Sequence, residues 1–218
     1  MTNLDGDLSD NQARVLGCLM EKQLTTPDYY PLTLKALTTA CNQKSSRVPV
    51  MSLSASEVGG VINGLRSQGL ITARTDGRSD RFEQQFSRKL TLSSKQRAVL
   101  CVLMLRGALT LNEIRITTGR MVDFDSNAEA LSLLTEMIER EAPLLMQIPR
   151  VAGQREDRYA HLLCGEVEVS MDVGTKEACA ASDSSKSAAL RISQLEQDVA
   201  TLQQQVEQIL AATGVKNA

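Results

Sequence analysis

The sequence predicts a mainly α-helical α+β fold with small β hairpins: two winged helix-turn-helix domains in tandem, followed by a C-terminal helix that forms a coiled coil. Two observations predict this fold. A pattern of three amphipathic helices and one hairpin occurs twice between residues 8 and 165. Near the C-terminus, apolar residues then recur at alternating spacings of three and four, as in the seam of a coiled coil.

The first helix of the pattern gives the clearest evidence for a duplication. Residues 8–20 align with residues 92–104 at one fixed offset, and seven positions are identical: Leu, Ser, Gln, Val, Leu, Leu and Met. Ser9 and Ser93 occupy the N-cap position, where a hydroxyl can accept a hydrogen bond from a free backbone N–H. The apolar residues recur at helical spacing in both copies, which predicts one buried stripe on each helix.

The remaining elements of each copy follow in the same order. A Leu-Thr-Leu segment opens a second short helix, which we expect to end near Asn42 in one copy and near Gly119 in the other. Third helices are predicted at residues 56–68 and 127–140, and each leads to two extended segments joined by a charged, Gly-containing turn. Gly69 can take the left-handed conformation that closes the third helix. This order of elements is typical of a winged helix.

These patterns divide the chain into six segments. We name residues 8–90 the first repeat and residues 91–165 the second repeat, and we expect each to be one winged-helix domain. A region rich in Ser, Ala, Asp and Glu follows and predicts a linker. The remaining predicted segments are a disordered N-terminus at 1–7, the flexible linker at 166–187, a coiled-coil helix at 188–211 and a disordered C-terminus at 212–218.

The C-terminal helix is expected to pair with a second copy of itself. Its apolar seam has β-branched residues mostly at one position of the heptad and leucines mostly at the other, which favours parallel pairs. The seam is shorter than three heptads, so a lone amphipathic helix folded back on the body is the alternative. The residues predicted to form the homodimer are Ile192, Leu195, Val199, Leu202, Val206 and Ile209.

Composition excludes several classes of protein. The first repeat carries eleven Lys or Arg against seven Asp or Glu, which is a weak basic bias, and the second carries nine of each. The five cysteines form no Cys-x-x-Cys pair, so we expect no disulfide framework and no metal. The N-terminus is acidic without an apolar segment, and the longest apolar run, residues 98–105, is too short to cross a bilayer. We therefore expect a reduced, cytoplasmic protein that does not insert into membranes.

Catalytic signatures are missing from the sequence as well. It has no Gly-rich phosphate loop and no nucleophile elbow, and its single histidine, His161, has no Cys or carboxylate cluster at ligand spacing. Cys18 and Cys101 lie inside apolar helical patterns, where a free cysteine behaves as a small apolar side chain. The sequence thus predicts no catalytic residue, no cofactor and no enzymatic activity.

The third helices are where a winged-helix protein would contact the major groove of DNA, with phosphate contacts from the hairpin. In the first repeat, Val58, Ile62 and Leu65 are spaced to face inward, which directs polar residues outward. Asn is suited to reading adenine and Arg to reading guanine. The residues expected to contact double-stranded DNA are Ser56, Asn63, Arg66, Arg74, Arg78, Arg81, Lys44 and Arg47. The predicted function is that of a DNA-binding transcriptional regulator that contacts DNA through its first repeat.

A protein-binding adaptor is the alternative function. Acidic residues lie among the first repeat's arginines, and the third helix of the second repeat carries Glu129, Glu136 and Glu139, which would repel DNA. Two further features leave the choice open. The adjacent Gly59 and Gly60 inside a helix indicate close approach, either by a partner or within the domain. The long loop at residues 43–53 either contributes to binding or fills the groove.

Several stretches of the chain resemble one family of proteins. The matching segments include residues 13–27, 39–44, 105–108, 155–163 and 165–168, together with Glu57, Val58 and the tail helix. On these residues the chain resembles the YceH-like (UPF0502) family of bacterial proteins over nearly its whole length. The resemblance implies tandem winged-helix domains and a cytoplasmic protein, and it implies no particular activity.

Overall fold

A computed structural model describes residues 7–75, 79–150 and 154–165. The described part is an α+β structure in which both repeats place their helices and strands in the same order. The first repeat contains α1 (Asp10–Thr25), β1 (Leu32–Thr33), α2 (Leu34–Cys41), α3 (Ala55–Ser67), β2 (Ile71–Thr75) and β3 (Asp80–Gln84), with a 3-10 turn at Pro27–Tyr29. A short helix, α4 (Phe86–Lys89), follows and leads into the second repeat.

The second repeat has α5, β4, α6, α7, β5 and β6. Their bounds are α5 (Ser94–Arg106), β4 (Leu109–Thr110), α6 (Leu111–Thr118), α7 (Asn127–Ile138), β5 (Leu145–Ile148) and β6 (Arg158–His161). The second and third helices of both repeats lie within two residues of their expected ends, and the predicted first helices are present as α1 and α5. The short α4 was not expected from the apolar pattern.

Capping side chains explain where the long helices begin. The hydroxyls of Ser9 and Ser93 each accept a hydrogen bond from the backbone N–H of a glutamine three residues later, and the serine N–H donates in return to the side-chain oxygen of that glutamine. This confirms the predicted caps of α1 and α5. Ser54 caps α3 in the same way, with Glu57 as the reciprocal partner. Gly69 closes α3 in the left-handed region at φ 67°, as predicted.

Each repeat has a three-stranded antiparallel sheet rather than a hairpin alone. The strand orders are β1-β3-β2 and β4-β6-β5. Phe82 is the central residue of the first sheet, opposite Leu32 on one side and Ala73 on the other. Leu109 lies opposite Tyr159 in the second sheet. The additional strand in each sheet is the Leu-Thr pair directly before the second helix, which is too short to show a strand period in the sequence.

The two repeats are joined by the packing of α1 against α5. A Cβ atom added at Gly17 would lie 3.0 Å from Leu105 Cδ2, so glycine allows the helices to approach closely here. The Cys101 thiol donates to the Gly17 carbonyl at 3.3 Å. Cys18 and Cys101 are both fully buried, as expected for cysteines that act as small apolar side chains. Buried residues of both repeats form one continuous core in the described part of the chain.

The predicted linker, the coiled-coil helix and both terminal segments lie almost entirely outside the described residues, which begin at Asp7 and end at Gly165. The same holds for the six seam residues proposed to form a homodimer. Among the described residues, no helix is long and apolar enough to cross a membrane. Dimerisation through the tail stays a prediction, because the six seam residues lie outside the described part of the chain.

Candidate nucleic-acid interface

Helix α3 presents one apolar and one polar face. Val58, Ile62 and Leu65 are buried in the core, in agreement with the spacing in the sequence. Because a helix turns by about 100° per residue, the opposite side carries Ser56 and Asn63 near its centre. Both of these residues are exposed. Burial of one stripe thus fixes which residues of α3 face solvent.

The solvent side of α3, which we call the α3 face, consists mostly of glycine and serine and carries two longer side chains. It consists of Ser56, Gly59, Gly60, Asn63, Arg66 and Ser67. A Cβ atom added at Gly59 or at Gly60 would meet no atom within 4 Å. Tight packing among the described residues therefore does not account for these two glycines. Asn63 and Arg66 are the only members with long polar side chains, and both are exposed.

The start of α3 carries a negative charge beside the α3 face. Glu57 Oε2 accepts hydrogen bonds of 2.7 Å from both the backbone N–H and the hydroxyl of Ser54. These bonds hold the pKa of Glu57 below its usual value, so the side chain is ionised at neutral pH. Its carboxylate is engaged in the cap, on the flank of the helix rather than at the centre of the face.

The hairpin of β2 and β3 supplies basic residues with different availability. The Arg74 side chain is 62% exposed and pairs with Glu83 at 3.1 Å, an arrangement that contributes little stability on a surface. Arg81 is partly buried and donates to the Pro31 carbonyl at 3.0 Å. Arg78 lies outside the described residues. Of the predicted hairpin arginines, Arg74 is thus the one whose guanidinium is clearly presented to solvent.

The other two predicted DNA contacts, Lys44 and Arg47, both lie in the loop between α2 and α3, but they differ in exposure. Lys44 is exposed and is available to a ligand. Arg47 is not available, because its side chain is 0% exposed and lies 2.6 Å from Glu21 Oε2. The expectation that Arg47 contacts a phosphate is therefore wrong. Its guanidinium also donates to the carbonyls of Ala40 and Ser46.

Arg47 belongs to a buried polar cluster that the sequence did not indicate. Burial raises the pKa of Glu21, but the hydrogen bond and charge of Arg47 outweigh it and leave that pKa lowered. Arg14 is 2% exposed and donates to the carbonyls of Cys41 and Pro49, at 3.1 and 2.6 Å. Burial lowers the pKa of Arg14. The cluster ties the loop to α1 and α2.

Further bonds show where the loop lies. The Asn42 side chain bonds both the carbonyl and the N–H of Leu53, at 2.7 and 2.8 Å, which closes the loop across its ends. The N–H of Val48 donates to the carbonyl of Leu105 at the end of α5, at 2.8 Å. The loop is thus anchored toward α1 and α5, and it does not cover the α3 face at Gly59 or Gly60.

The third helix of the second repeat, α7, has a different surface. Glu129 bonds Lys95 and the Asp125 N–H, and Glu136 accepts from Gln96 at 2.9 Å. Two apolar side chains of the second repeat are exposed as well: Ile116 on α6 is 71% exposed and Leu131 on α7 is 45% exposed. This surface is acidic and partly apolar, which suits a polyanion poorly.

Two features of the described part of the chain bear on metal and acid–base chemistry. No group of three or more His, Cys, Asp and Glu side chains is arranged there to hold a metal ion. His161 is partly buried on β6, and burial lowers its pKa to about 4, so the imidazole is neutral at neutral pH. Its Nδ1 atom is buried without a hydrogen-bond partner.

The fold and the α3 face define an α+β protein with two copies of a three-helix unit, each attached to a three-stranded sheet. A family model described as "Protein of unknown function, DUF480" matches residues 8–154. The chain belongs to this family, which confirms the resemblance seen in the sequence.

Curated relatives match the chain over most of its length. The UPF0502 protein of Geobacter sulfurreducens is 45% identical over 196 residues, covering 89% of this chain and 90% of the relative. The UPF0502 protein of Cellvibrio japonicus is 43% identical, and the match covers 95% of this chain and 96% of the relative. The relative from Vibrio atlanticus is 41% identical, covering 94% and 95%.

Proposed function

We propose that the chain is a non-catalytic winged-helix protein that binds double-stranded DNA through its first repeat and acts as a regulator. In this proposal, α3 enters the major groove and the β2–β3 hairpin is the wing. The observation that carries it is the α3 face: among the described residues nothing lies within 4 Å of a Cβ added at Gly59 or Gly60, and Asn63 and Arg66 are the long polar side chains of this face.

The chemistry of this face fits a duplex. Asn63 can bond adenine through its amide, and Arg66 can bond guanine through two N–H groups, as these side chains do in major-groove recognition. The glycines remove bulk that would hold the helix away from the base edges. Lys44 and Arg74 are exposed on neighbouring elements and can each neutralise a phosphate. Glu57 is the nearest opposing charge of the helix, and its oxygen is occupied by the cap.

The direct test is a titration with duplex DNA of mixed sequence. We expect saturable binding at low salt that weakens as salt rises, because phosphate contacts release counterions. Arg66→Ala and Asn63→Ala should each weaken binding to the preferred sequence by roughly 5- to 100-fold, the cost of losing a base contact. Fluorescence anisotropy of labelled duplexes measures both effects.

A variant that removes one positive charge outside the α3 face distinguishes the loss of a DNA contact from a change in net charge. Arg120→Ala removes one positive charge from an exposed position of the second repeat, and we expect its DNA affinity to stay close to that of the wild type. If the wild-type protein shows no salt-dependent binding even at low ionic strength, DNA binding is rejected. Equal losses for Arg66→Ala and Arg120→Ala would reject the role of the α3 face.

The two glycines allow a test in which stability and binding change in opposite directions. Gly59→Ala and Gly60→Ala should each stabilise the protein by about 0.5–1 kcal/mol, because alanine is the better helix former and the added Cβ meets no neighbouring atom. The same variants should bind DNA more weakly, since each methyl group lies on the contact surface.

The measurement pairs thermal or urea unfolding with the anisotropy titration. Ala55→Gly, at the exposed start of the same helix, is the reciprocal control, and it should lower stability without adding bulk. A loss of stability in the alanine variants would show that the glycines serve folding. Unchanged DNA affinity would place the contact elsewhere.

A second candidate function is a protein-binding adaptor that uses the second repeat. It is favoured by the exposed apolar side chains of Ile116 and Leu131 and by the acidic residues of α7. Such partly apolar surfaces mark sites of protein contact more often than sites of DNA contact. Ile116→Ser combined with Leu131→Ser would abolish capture of an adaptor's partner and leave DNA binding by the first repeat unchanged.

A further inference from the structure

Helix α3 carries its two long polar side chains three residues apart. Asn63 and Arg66 are both exposed, and residues at this spacing are neighbours on one side of a helix, with Cβ atoms about 5–6 Å apart. From one to the other the helix advances by about 4.5 Å. The two side chains therefore reach adjacent parts of any surface that the α3 face meets.

The turn of α3 before Asn63 has no side chain that could read a base. Gly59 and Gly60 occupy it, and among the described residues nothing lies within 4 Å of a Cβ added at either position. Ser56 is exposed one turn nearer the start of the helix. A serine hydroxyl bonds to more than one type of base, so it discriminates little. The side chains of the α3 face that can distinguish bases are thus Asn63 and Arg66.

The polar groups of these two side chains are available to a ligand. Within the described part of the chain, the side chains of Asn63 and Arg66 form no hydrogen bond and no ion pair. Arg74, by contrast, is paired with Glu83 at 3.1 Å. A duplex that meets the α3 face would therefore displace only water from Asn63 and Arg66, and no contact within the described protein would have to break.

The spacing of the two side chains matches the spacing of bases in a duplex. Base pairs are stacked about 3.4 Å apart along the DNA axis. When a recognition helix enters the major groove at an angle, side chains about three residues apart contact successive bases, principally on one strand. The chemistry of each side chain then selects its base, because Asn bonds adenine and Arg bonds guanine through two hydrogen bonds each.

We propose that the α3 face recognises an adenine and a guanine in neighbouring positions of one DNA strand. The amide of Asn63 accepts from the adenine N6 amino group and donates to N7, and the guanidinium of Arg66 donates to O6 and N7 of the guanine. The base pair that faces the glycine turn is not discriminated. This inference rests on the proposed function and narrows its ligand to duplexes that contain this dinucleotide step.

The test uses the full chain and a pool of duplexes in which a short central segment is randomised. Sequencing of the bound fraction should show enrichment of adjacent adenine and guanine on one strand, in one order. Fluorescence anisotropy then compares three duplexes: one with the enriched step, one with a C·G pair inserted between the adenine and the guanine, and one without the step. The insertion should weaken binding by roughly 5- to 100-fold, because only one of the two base contacts can form.

Single variants assign each base to a side chain. Arg66→Ala should lose discrimination at the guanine and keep it at the adenine, and Asn63→Ala should do the reverse. Lys44→Ala is the matched control on a neighbouring element, and it should weaken binding to all three duplexes by the same factor, as the loss of a phosphate contact does. Arg120→Ala, in the second repeat, should leave the preference and the affinity close to those of the wild type.

The outcomes distinguish this inference from the proposed function. Salt-dependent binding with equal affinity for the three duplexes would leave DNA binding in place and overturn recognition of the dinucleotide. A preference for the step that survives both Asn63→Ala and Arg66→Ala would overturn it as well. If no duplex binds even at low salt, both the recognition of the step and the proposed function are rejected.

Discussion

Replacing Glu21 by glutamine is expected to lower the free energy of unfolding by about 3–5 kcal/mol, the usual cost of breaking a buried ion pair. The Glu21 side chain is 9% exposed, and the partner, Arg47, is fully buried with a 2.6 Å contact between them. Loss of the carboxylate charge would leave Arg47 ionised in the core without a counter-charge. Arg47→Met should cost a similar amount, because it leaves Glu21 with only the ion pair to Lys22, at 3.3 Å, and frees the loop. Urea unfolding measures both variants.

An exposed ion pair of the same type provides the control. Arg74→Ala removes the contact of Arg74 with Glu83, and we expect a change below about 1 kcal/mol because solvent screens this pair. The double variant Glu21→Leu with Arg47→Met should be more stable than either single variant, since it leaves no buried charge unpaired. Single variants as stable as the wild type would show that the cluster does not hold the loop.

Acidification from pH 7 to pH 5 should lower the free energy of unfolding by about 2 kcal/mol through His161. The folded pKa of about 4 lies below the ordinary value of 6.5, so the unfolded chain binds a proton that the folded chain rejects. The contribution of His161 is present above pH 6.5 and is lost as the pH falls toward 4. Carboxylates with lowered pKa, Glu21 among them, contribute mainly below this window.

The loss of stability between pH 7 and pH 5 can be assigned to His161, because the chain has a single histidine. His161→Gln removes the titrating group, and its stability should change little between pH 7 and pH 5. Urea unfolding at several pH values between these limits supplies the comparison. A wild-type stability that is flat over this range, or an equal loss in His161→Gln, would contradict a buried neutral imidazole.

The sequence predicted local structure well because local signals determine it. Ser9 and Ser93 cap their helices through bonds to residues three positions away, and Gly69 adopts the left-handed conformation that the end of a helix requires. The orientation of α3 followed from the spacing of three apolar residues, so Asn63 and Arg66 were correctly placed on its exposed side.

Interactions between distant residues explain what the sequence did not predict. Arg14, Glu21 and Arg47 look like surface residues, since charged side chains are rarely buried. Their burial depends on contacts between residues 26 or more positions apart, such as Glu21 with Arg47 and Arg14 with Cys41. No local pattern encodes those contacts, so Arg47 was wrongly expected in the DNA interface.

The polar cleft that Gln23, Gln84 and Arg97 help to line could not be predicted from the sequence for a similar reason. Its lining comes from α1, β3, α4 and α5, which meet only when the second repeat packs against the first. The two-residue strands β1 and β4 are too short for any period in the sequence, although each completes a sheet. The signal that was available for the cleft was the cluster of Gln, Ser and Arg at residues 84–97.

The close crossing of α1 and α5 at Gly17 bears on how such a chain could have arisen. A single unit of this kind, standing alone, would leave the first helix with an apolar flank in contact with water. Two identical units could cover those flanks by associating symmetrically before their genes were fused. Gly17 lies opposite Leu105, whereas the equivalent position of the second copy is Cys101, so the present crossing is not symmetric in sequence.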